Sequence, residues 1–350
     1  MALTMLQAVS GEAIVDQYAG CRILVTGATG FIGRHLVADL VAKGCTVRAL
    51  VRNANHKPME WGTVKLFLGA LEDRASLERA CQGIDIVFHA AGFAHAWAHN
   101  ATVGDMQRRT NIDGTRCLLQ AAATGGVQRF IFFSSVKAMG PAGERCVDET
   151  WPIPPDTPYG QAKREAEGLV LTLGKRYGMH VVNLRLALVY GTGGRGNLER
   201  MIAAVRRGVF PPLPEEGNKR SLVHVKDVVQ AALLAGINPV ANQKTYIVTD
   251  GQTYSSRKIY ELIRHAMGKP IPSWAVASSV LYALAVIGDI LGRLCRRRMW
   301  FDSEALDKLL GWACYCSACI QKELGYQATL TLADALPEMM QEFGRRQRLA

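Results

Sequence analysis

Tyr159 and Lys163 stand four residues apart in "YGQAK" (159–163), at the start of a stretch with helical periodicity over residues 159–177. On a helix that spacing puts both side chains on one face. A phenol ordinarily titrates near pH ~10, and a lysine cation beside it favours phenolate and draws that value down. Such a phenol takes a proton from a secondary alcohol or returns one to a ketone. An isolated Tyr-x-x-x-Lys is more often a solvated helix face, so the pair needs support from elsewhere in the chain.

That support is a glycine loop. Gly27, Gly30 and Gly33 stand three apart in "VTGATGFIGRHL" (25–36), after an apolar run and before an amphipathic one. In a strand-to-helix turn the first glycine permits a tight bend. The second lets a pyrophosphate approach the backbone, and the third lets the helix pack on the sheet. Unpaired amides at the helix start then face the phosphates. A glycine triplet alone is a weak signal, but between a strand and a helix it denotes nucleotide binding.

These groups need a scaffold. Strands are expected at 22–26, 46–51, 64–69, 84–90, 129–135 and 181–190, and helices at 31–44, 74–83, about 105–124 and 159–177. Near-continuous apolar strands separated by helices specify an α/β fold with a doubly wound parallel sheet covered on both faces. After Gly191 the rhythm breaks into loops ("GTGGRGN", "FPPLPEEGNKR") and mixed elements such as the strand "TYIVT" (245–249). The expected organisation is an N-terminal extension over 1–20 and a nucleotide-binding domain over 21–190, to which about 221–250 contributes. Residues 191–220 and 251–350 form a smaller mixed α/β substrate region.

The 350 residues carry a net charge of +11, with 49% apolar and 20% charged residues. Lys and Arg are spread along the chain without a helix-turn-helix, zinc-finger or RNP pattern. The charge therefore reads as a basic surface around a phosphate-bearing ligand, with no nucleic-acid partner. Nine scattered cysteines and no opening secretory signal give the expectation of a reducing cytoplasm. The stretch "WAVASSVLYALAVIGDILGRLC" (274–295) is long enough to weigh as a membrane span, which Asp289, Ser273, Ser278 and Ser279 argue against. A buried or interfacial helix is expected there. The alternative is peripheral membrane contact through 274–298, anchored by Arg293 and Arg296–Arg298. His89, His95 and His99 stand close together, His95 and His99 at i, i+4 spacing, with no carboxylate among them, and Cys314, Cys316 and Cys319 lack an obvious fourth ligand. Neither group is read as a metal site: the histidines are expected to line a pocket or cap, the cysteines to join an apolar cluster.

The run of motifs resembles the short-chain dehydrogenase/reductase superfamily in its extended form, closest to its epimerase/dehydratase branch, over roughly residues 21–345. "TGATGFIG" is followed in the family's order by "HAAG" (89–92), "NIDGT" (111–115), "FSSVKAMG" (133–140), "YGQAK", "LVYG" (188–191) and "RSLVHVKDV" (220–228). The resemblance implies a Rossmann-type sheet and a homodimer formed through the helices at 105–124 and 159–177. It implies that Ser135 holds the substrate oxygen, Tyr159 is the acid/base, and Lys163 lowers the phenol's pKa and hydrogen-bonds the nicotinamide ribose. The cofactor would meet Gly27, Thr29, Gly30, Phe31, Ile32, Gly33, Arg34, Arg52, Leu71, Ala90, Ala91, Gly92, Asn111, Tyr159 and Lys163, with Asn111 supporting the fourth strand. No metal is implied. No acid ends the second strand to hold the ribose hydroxyls of NAD, whereas Arg52 or Arg34 could clamp a 2′-phosphate. NADP(H) is the expected cofactor, with NAD(H) as the alternative. Ala70 in "GALED" stands where the family often has Asp, which leaves Leu71 to pack on the adenine.

For the substrate, the resemblance points to C4 of a nucleotide-linked sugar, of UDP-hexose or UDP-N-acetylhexosamine type, as in surface-polysaccharide synthesis. Arg220 and Asn197 match positions near its diphosphate, and Ser134 is the second candidate for holding the substrate oxygen. Leu188 replaces an expected asparagine. An epimerase would return the hydride to the other face of the sugar, and a 4-ketoreductase would deliver it once. A dehydratase needs an acid pair where this chain reads "SVKAM". One alternative is an NADPH-dependent ketoreductase or dehydrogenase of hydroxysteroid or flavonoid type, whose apolar substrate would suit 274–295. Another is a non-catalytic nucleotide-sensing protein, against which the presence of both Tyr159 and Lys163 argues.

Overall fold

The computed structural model describes residues 17–53, 61–93, 101–194, 196–295, 299 and 301–348. In chain order its first half contains β1 (Arg22–Thr26), α1 (Phe31–Ala42), β2 (Thr46–Val51), β3 (Lys65–Leu68), α2 (Arg74–Cys81), β4 (Ile86–His89), α3 (Ala101–Arg108), α4 (Gly114–Thr124) and β5 (Arg129–Ser135). Next come β6 (Cys146–Val147), α5 (Pro158–Tyr177), β7 (His180–Leu186), β8 (Leu188–Tyr190), α6 (Asn197–Arg207), β9 (Arg220–His224), α7 (Val225–Ile237), β10 (Lys244–Val248) and β11 (Thr253–Tyr254). The remainder is α8 (Ser256–Ala266), α9 (Ser278–Cys295), α10 (Ser303–Leu310), β12 (Cys314–Tyr315), α11 (Ala318–Leu324) and α12 (Leu332–Arg348).

Seven strands form one sheet in the order β10-β7-β5-β4-β1-β2-β3, and every pair is parallel. Alternation along β1 sends Ile23 and Val25 into a core with Leu36 and Leu40 of α1 and Val228 and Ala232 of α7. Leu24 enters the opposite core, with Leu118 of α4 and Ala166 and Val170 of α5. Apolar side chains on both faces are what make these strands read as unbroken apolar runs. The sheet is therefore the Rossmann-type, doubly wound one that was expected. A second sheet, β11-β9-β8, carries a separate core under α6, α8 and α12, and α9 and α10 form a third with Leu213.

Four features differ from expectation. The run 181–190 is two strands. Ala187 donates its N–H to the Val248 carbonyl (3.1 Å), after which the chain leaves β7 and joins the small sheet as β8. The long helix begins at Ala101 and contains a π-helical turn over Arg109–Asp113. The segment 274–295 is not a buried helix. Within α9 only Leu281, Ala285 and Gly288 are buried, because nothing covers its other sides among the described residues. Cys314 is not a member of an apolar thiol cluster: it forms a disulfide with Cys146 across 168 residues, tying β12 to β6.

The glycine turn has no spare room. A Cβ on Gly33 would lie 2.1 Å from the Gly27 carbonyl oxygen and 2.8 Å from the Ala28 Cα, whereas one on Gly168 in α5 would meet nothing within 4 Å. Gly33→Ala is expected to destabilise the fold by about 1–3 kcal/mol through overpacking. Gly168→Ala is expected to stabilise it by roughly 0.5–1 kcal/mol through helix propensity. Thermal or urea unfolding of the two variants checks this, and equal effects would contradict it.

Candidate active site

The sheet order places β1 beside β4, with the chain leaving β1 for the β2–β3 half and β4 for the β5 half. That is the switch point where a crevice opens at the strands' C-terminal ends. Both ends are built around small residues. Gly27 has φ +68°, and a Cβ there would lie 2.6 Å from the Ala91 nitrogen. Ala90 and Ala91 donate their N–H groups to the Thr26 carbonyl (3.2 Å) and hydroxyl (3.3 Å). Gly30 caps α1 with no side-chain hydrogen bond, so the amides of the first turn are available to an anion. Thr29 is exposed and Phe31 and Ile32 are half-buried at this rim. A turn with no room for a Cβ and with open amides fits a dinucleotide pyrophosphate.

Two polar residues brace the crevice. His89 is fully buried between the Thr26 hydroxyl (2.7 Å) and the Thr115 hydroxyl (2.9 Å). Burial draws its pKa down to about 3, so it is a neutral strut between β1 and α4. Asn111, inside the π-helical turn, accepts from the Phe93 N–H (2.9 Å) and donates to the Phe93 carbonyl (3.1 Å). It thus holds the segment after β4 that contains Gly92. Leu71 is buried against Gly114, where a Cβ would approach within 2.7 Å of it.

Helix α5 supplies the proton chemistry. Thr157 caps it by accepting from the Gly160 N–H (3.1 Å), Pro158 occupies its first turn, and Gly178 ends it with φ +66°. A Cβ on Gly160 would lie 2.2 Å from the Lys137 carbonyl, so the first turn presses on the segment after β5. This brings Tyr159 close to Ser135, whose hydroxyl favours the phenolate. Tyr159 is partly buried, and burial pushes its pKa up to about 12, with the Ser135 hydroxyl pulling the other way. Lys163 is only 5% exposed, donates to the Phe133 carbonyl (2.8 Å) and lies 4.6 Å over the Phe132 ring. Burial draws its own pKa down to about 8 against the pull of Glu167. The expectation that Lys163 depresses the phenol is therefore corrected. In the folded chain the ammonium is committed to a carbonyl, and burial decides the phenol. Near neutral pH this leaves a protonated tyrosine beside a charged lysine, the state of a proton donor.

A buried cluster lies behind the triad. Glu167 accepts from the Ser134 hydroxyl (2.6 Å) and, bidentately, from Arg185 (3.0 and 2.8 Å). Both members of this ion pair are 3–4% exposed. The Ser134 hydroxyl is therefore committed to Glu167 on the side of the sheet that α5 covers, and Ser135, at the end of β5, is the serine close to Tyr159. Glu167 was not foreseen, although it follows Lys163 by four residues on the same helical face.

The remaining candidates are spread out. Arg34 reaches the Gly193 carbonyl at 3.4 Å, while Arg52 stands exposed just after β2. Asn197 is exposed at the first position of α6. Arg220 donates to the Gly311 carbonyl at 2.8 Å, and burial lowers its pKa against the pull of Asp307 and Tyr315. His95, His99 and Arg296–Arg298 lie outside the described residues. No group of three His, Cys, Asp or Glu among the described residues could hold a metal.

The folded pKa of Lys163, about 8, is below its ordinary value of 10.5. The unfolded chain therefore holds this proton more tightly. The charge destabilises the fold fully below the folded pKa, and the penalty fades as pH rises towards the unfolded value. Lys163→Met is expected to stabilise the fold at neutral pH by about 1 kcal/mol or more, with the gain shrinking at high pH. Melting curves at neutral and alkaline pH test this, and a variant less stable than wild type at neutral pH would contradict it.

A family model described as the NAD dependent epimerase/dehydratase family matches residues 23–249. A UDP-glucose 4-epimerase of Vibrio cholerae is 29% identical over 328 residues, covering 92% of this chain and 95% of that protein. A 4-hydroxy-2-methyl-3-oxo-4-farnesyl-3,4-dihydroquinoline-1-oxide ketoreductase of Stigmatella aurantiaca is 31% identical over 277 residues, covering 78% and 81%. Among solved structures, the Thermus thermophilus UDP-glucose 4-epimerase in complex with NAD superposes with a TM-score of 0.70 at 25% identity, covering 92% of this chain and 99% of that one. Fold, glycine turn and motif order agree with these similarities: the chain belongs to the NAD-dependent epimerase/dehydratase family of the extended short-chain dehydrogenases/reductases.

Proposed function

We propose that this protein is an NAD(P)-dependent oxidoreductase acting at C4 of a nucleotide-linked sugar, with Tyr159 exchanging the proton at the C4 oxygen. The observation that carries the reading is the meeting of Ser135, Tyr159 and the buried Lys163 at the C-terminal ends of β4 and β5, beside the switch point. The α1 amides and the Gly27–Gly33 turn would hold the pyrophosphate, and Gly92 and Lys163 would line the nicotinamide side. A bound nicotinamide gives or takes the hydride. The chain's own part is to orient the substrate oxygen through Ser135 and to move a proton at the Tyr159 oxygen. A phenol protonated near neutral pH can give its proton to a ketone oxygen, as a 4-ketoreductase or the reductive half of an epimerase requires. Arg52, at the end of a strand that lacks an acid, supports a preference for NADP(H). On this reading the protein works as a homodimer in synthesis of surface sugars.

Arg220 supports the nucleotide. It is a largely enclosed guanidinium whose hydrogen-bond partner is the neutral Gly311 carbonyl, with no carboxylate within ion-pair distance among the described residues. Such a cation gains from a diphosphate more than an exposed one does. A second reading, reduction of an apolar ketone, is supported by the exposed apolar helix α9 and by the resemblance to the Stigmatella ketoreductase.

The two separate on one experiment. Titrating uridine diphosphate by calorimetry into wild type and Arg220→Ala, the sugar-nucleotide reading expects at least about a tenfold loss of affinity, or about 1.4 kcal/mol. The melting temperature of the variant controls for its folding. Equal affinities, or no binding to wild type, would move the substrate to the apolar class.

A further inference from the structure

Helix α9 has a mean hydropathy of 1.5, yet only 17% of its residues are buried. A core helix of that composition would be mostly covered. Its buried side is a narrow line of Leu281, Ala285 and Gly288, which packs with Leu213, Leu306 and Leu310. Turned away from that line, Val280, Leu284, Ile287, Ile290, Leu291 and Leu294 are each 41–74% exposed. At ~100° per residue these six fall within about 120° of arc. On the other flank Ser278, Ser279, Asp289 and Arg293 are interspersed with Tyr282 and Val286, which are 54% and 52% exposed. The helix thus has three sides: one docked on the protein, one of mixed polar and apolar residues, and one bare and wholly apolar.

The docked side prevents this helix from crossing a bilayer. Asp289 accepts from the Ser303 N–H (3.2 Å) and hydroxyl (2.5 Å). Gly288 lies so close to the Phe301 carbonyl that a Cβ would be 1.9 Å from it. These contacts tie α9 along its length to the segment leading into α10, so the bare arc can only be laid against a surface. Charge says which surface. The chain carries +11 overall, Arg293 lies within α9, and the sequence runs on from Cys295 with Arg296, Arg297 and Arg298. A second copy meeting this patch through a two-fold axis would bring like charges together, whereas anionic headgroups would be attracted. Trp274, 61% exposed just ahead of the helix, is a residue type that settles at the headgroup level.

We propose that the bare arc of α9 is a membrane-docking surface, lying in the interface of an anionic phospholipid bilayer and seating the substrate region of the enzyme on it. The proposal stands independently of which substrate the active site takes. It predicts that the full-length protein co-sediments with vesicles of phosphatidylcholine and phosphatidylglycerol, at least about tenfold more strongly than with phosphatidylcholine alone. Leu284→Gln/Ile287→Gln/Leu291→Gln should weaken partition to the mixed vesicles by at least about tenfold. These side chains are exposed, so the melting temperature and the affinity for NADPH are expected to stay at wild-type values. Wild type that stays in solution, or a triple variant that sediments as wild type does, would overturn the proposal. So would a light-scattering mass that falls in the variant without any vesicle binding by wild type, which would identify the occupant as a second copy. Equal binding to neutral vesicles would overturn the anionic preference.

Discussion

The hydrogen bond from Lys163 to the Phe133 carbonyl is the contact on which the site depends. It places a cation in an enclosed position between β5 and Gly92, with a carbonyl and the Phe132 ring face as its immediate partners. A charge held that way destabilises the fold and persists because the elements around it leave the side chain nowhere else to go. Helix α5 is pressed against the segment after β5 by Gly160, and Asn111 holds the segment after β4 in place. Helix α5, strand β5 and the segment after β4 meet at this one ammonium.

One face of α5 then does two kinds of work. Tyr159 and Lys163 lie at the crevice, and Glu167, a further turn along, closes the back of the site with Arg185 and Ser134. The Glu167 carboxylate is the opposite charge that limits how far burial draws Lys163 down. Strand β5 is divided in the same way: Ser135 turns to the phenol and Ser134 to the ion pair. Chemistry and stability are thus separated by single-residue steps in the backbone.

Much of this was legible because it rests on local rules. Strands β1, β2 and β5 fall where their apolar runs said, and the glycine spacing anticipated the turn that leaves no room for a Cβ. What could not be read depends on partners distant in sequence. Nothing in "LRLALVY" marks Ala187, because its hydrogen bond to Val248 exists only once β10 has joined the sheet. Ser134 and Ser135 are equivalent in sequence until folding commits the Ser134 hydroxyl to Glu167 and brings Ser135 close to Tyr159. The effect of Lys163 on the phenol was taken from proximity, whereas the outcome was set by burial and by a carbonyl acceptor. Helix α9 was expected to be buried or interfacial, and that only three of its residues are buried could not be read, because coverage depends on the neighbours a chain provides. The Cys146–Cys314 bond pairs residues 168 positions apart that no spacing rule connects.

The most direct measurement is a single-turnover reaction in a stopped-flow instrument. Wild type and Tyr159→Phe, each loaded with the reduced nicotinamide cofactor, are mixed with a ketone substrate that wild type reduces, and loss of the reduced cofactor is followed. If Tyr159 gives the proton to the substrate oxygen, the variant's rate falls by about 10²–10⁴-fold while its cofactor affinity is unchanged. A variant that reduces the ketone at the wild-type rate would show that the proton comes from elsewhere.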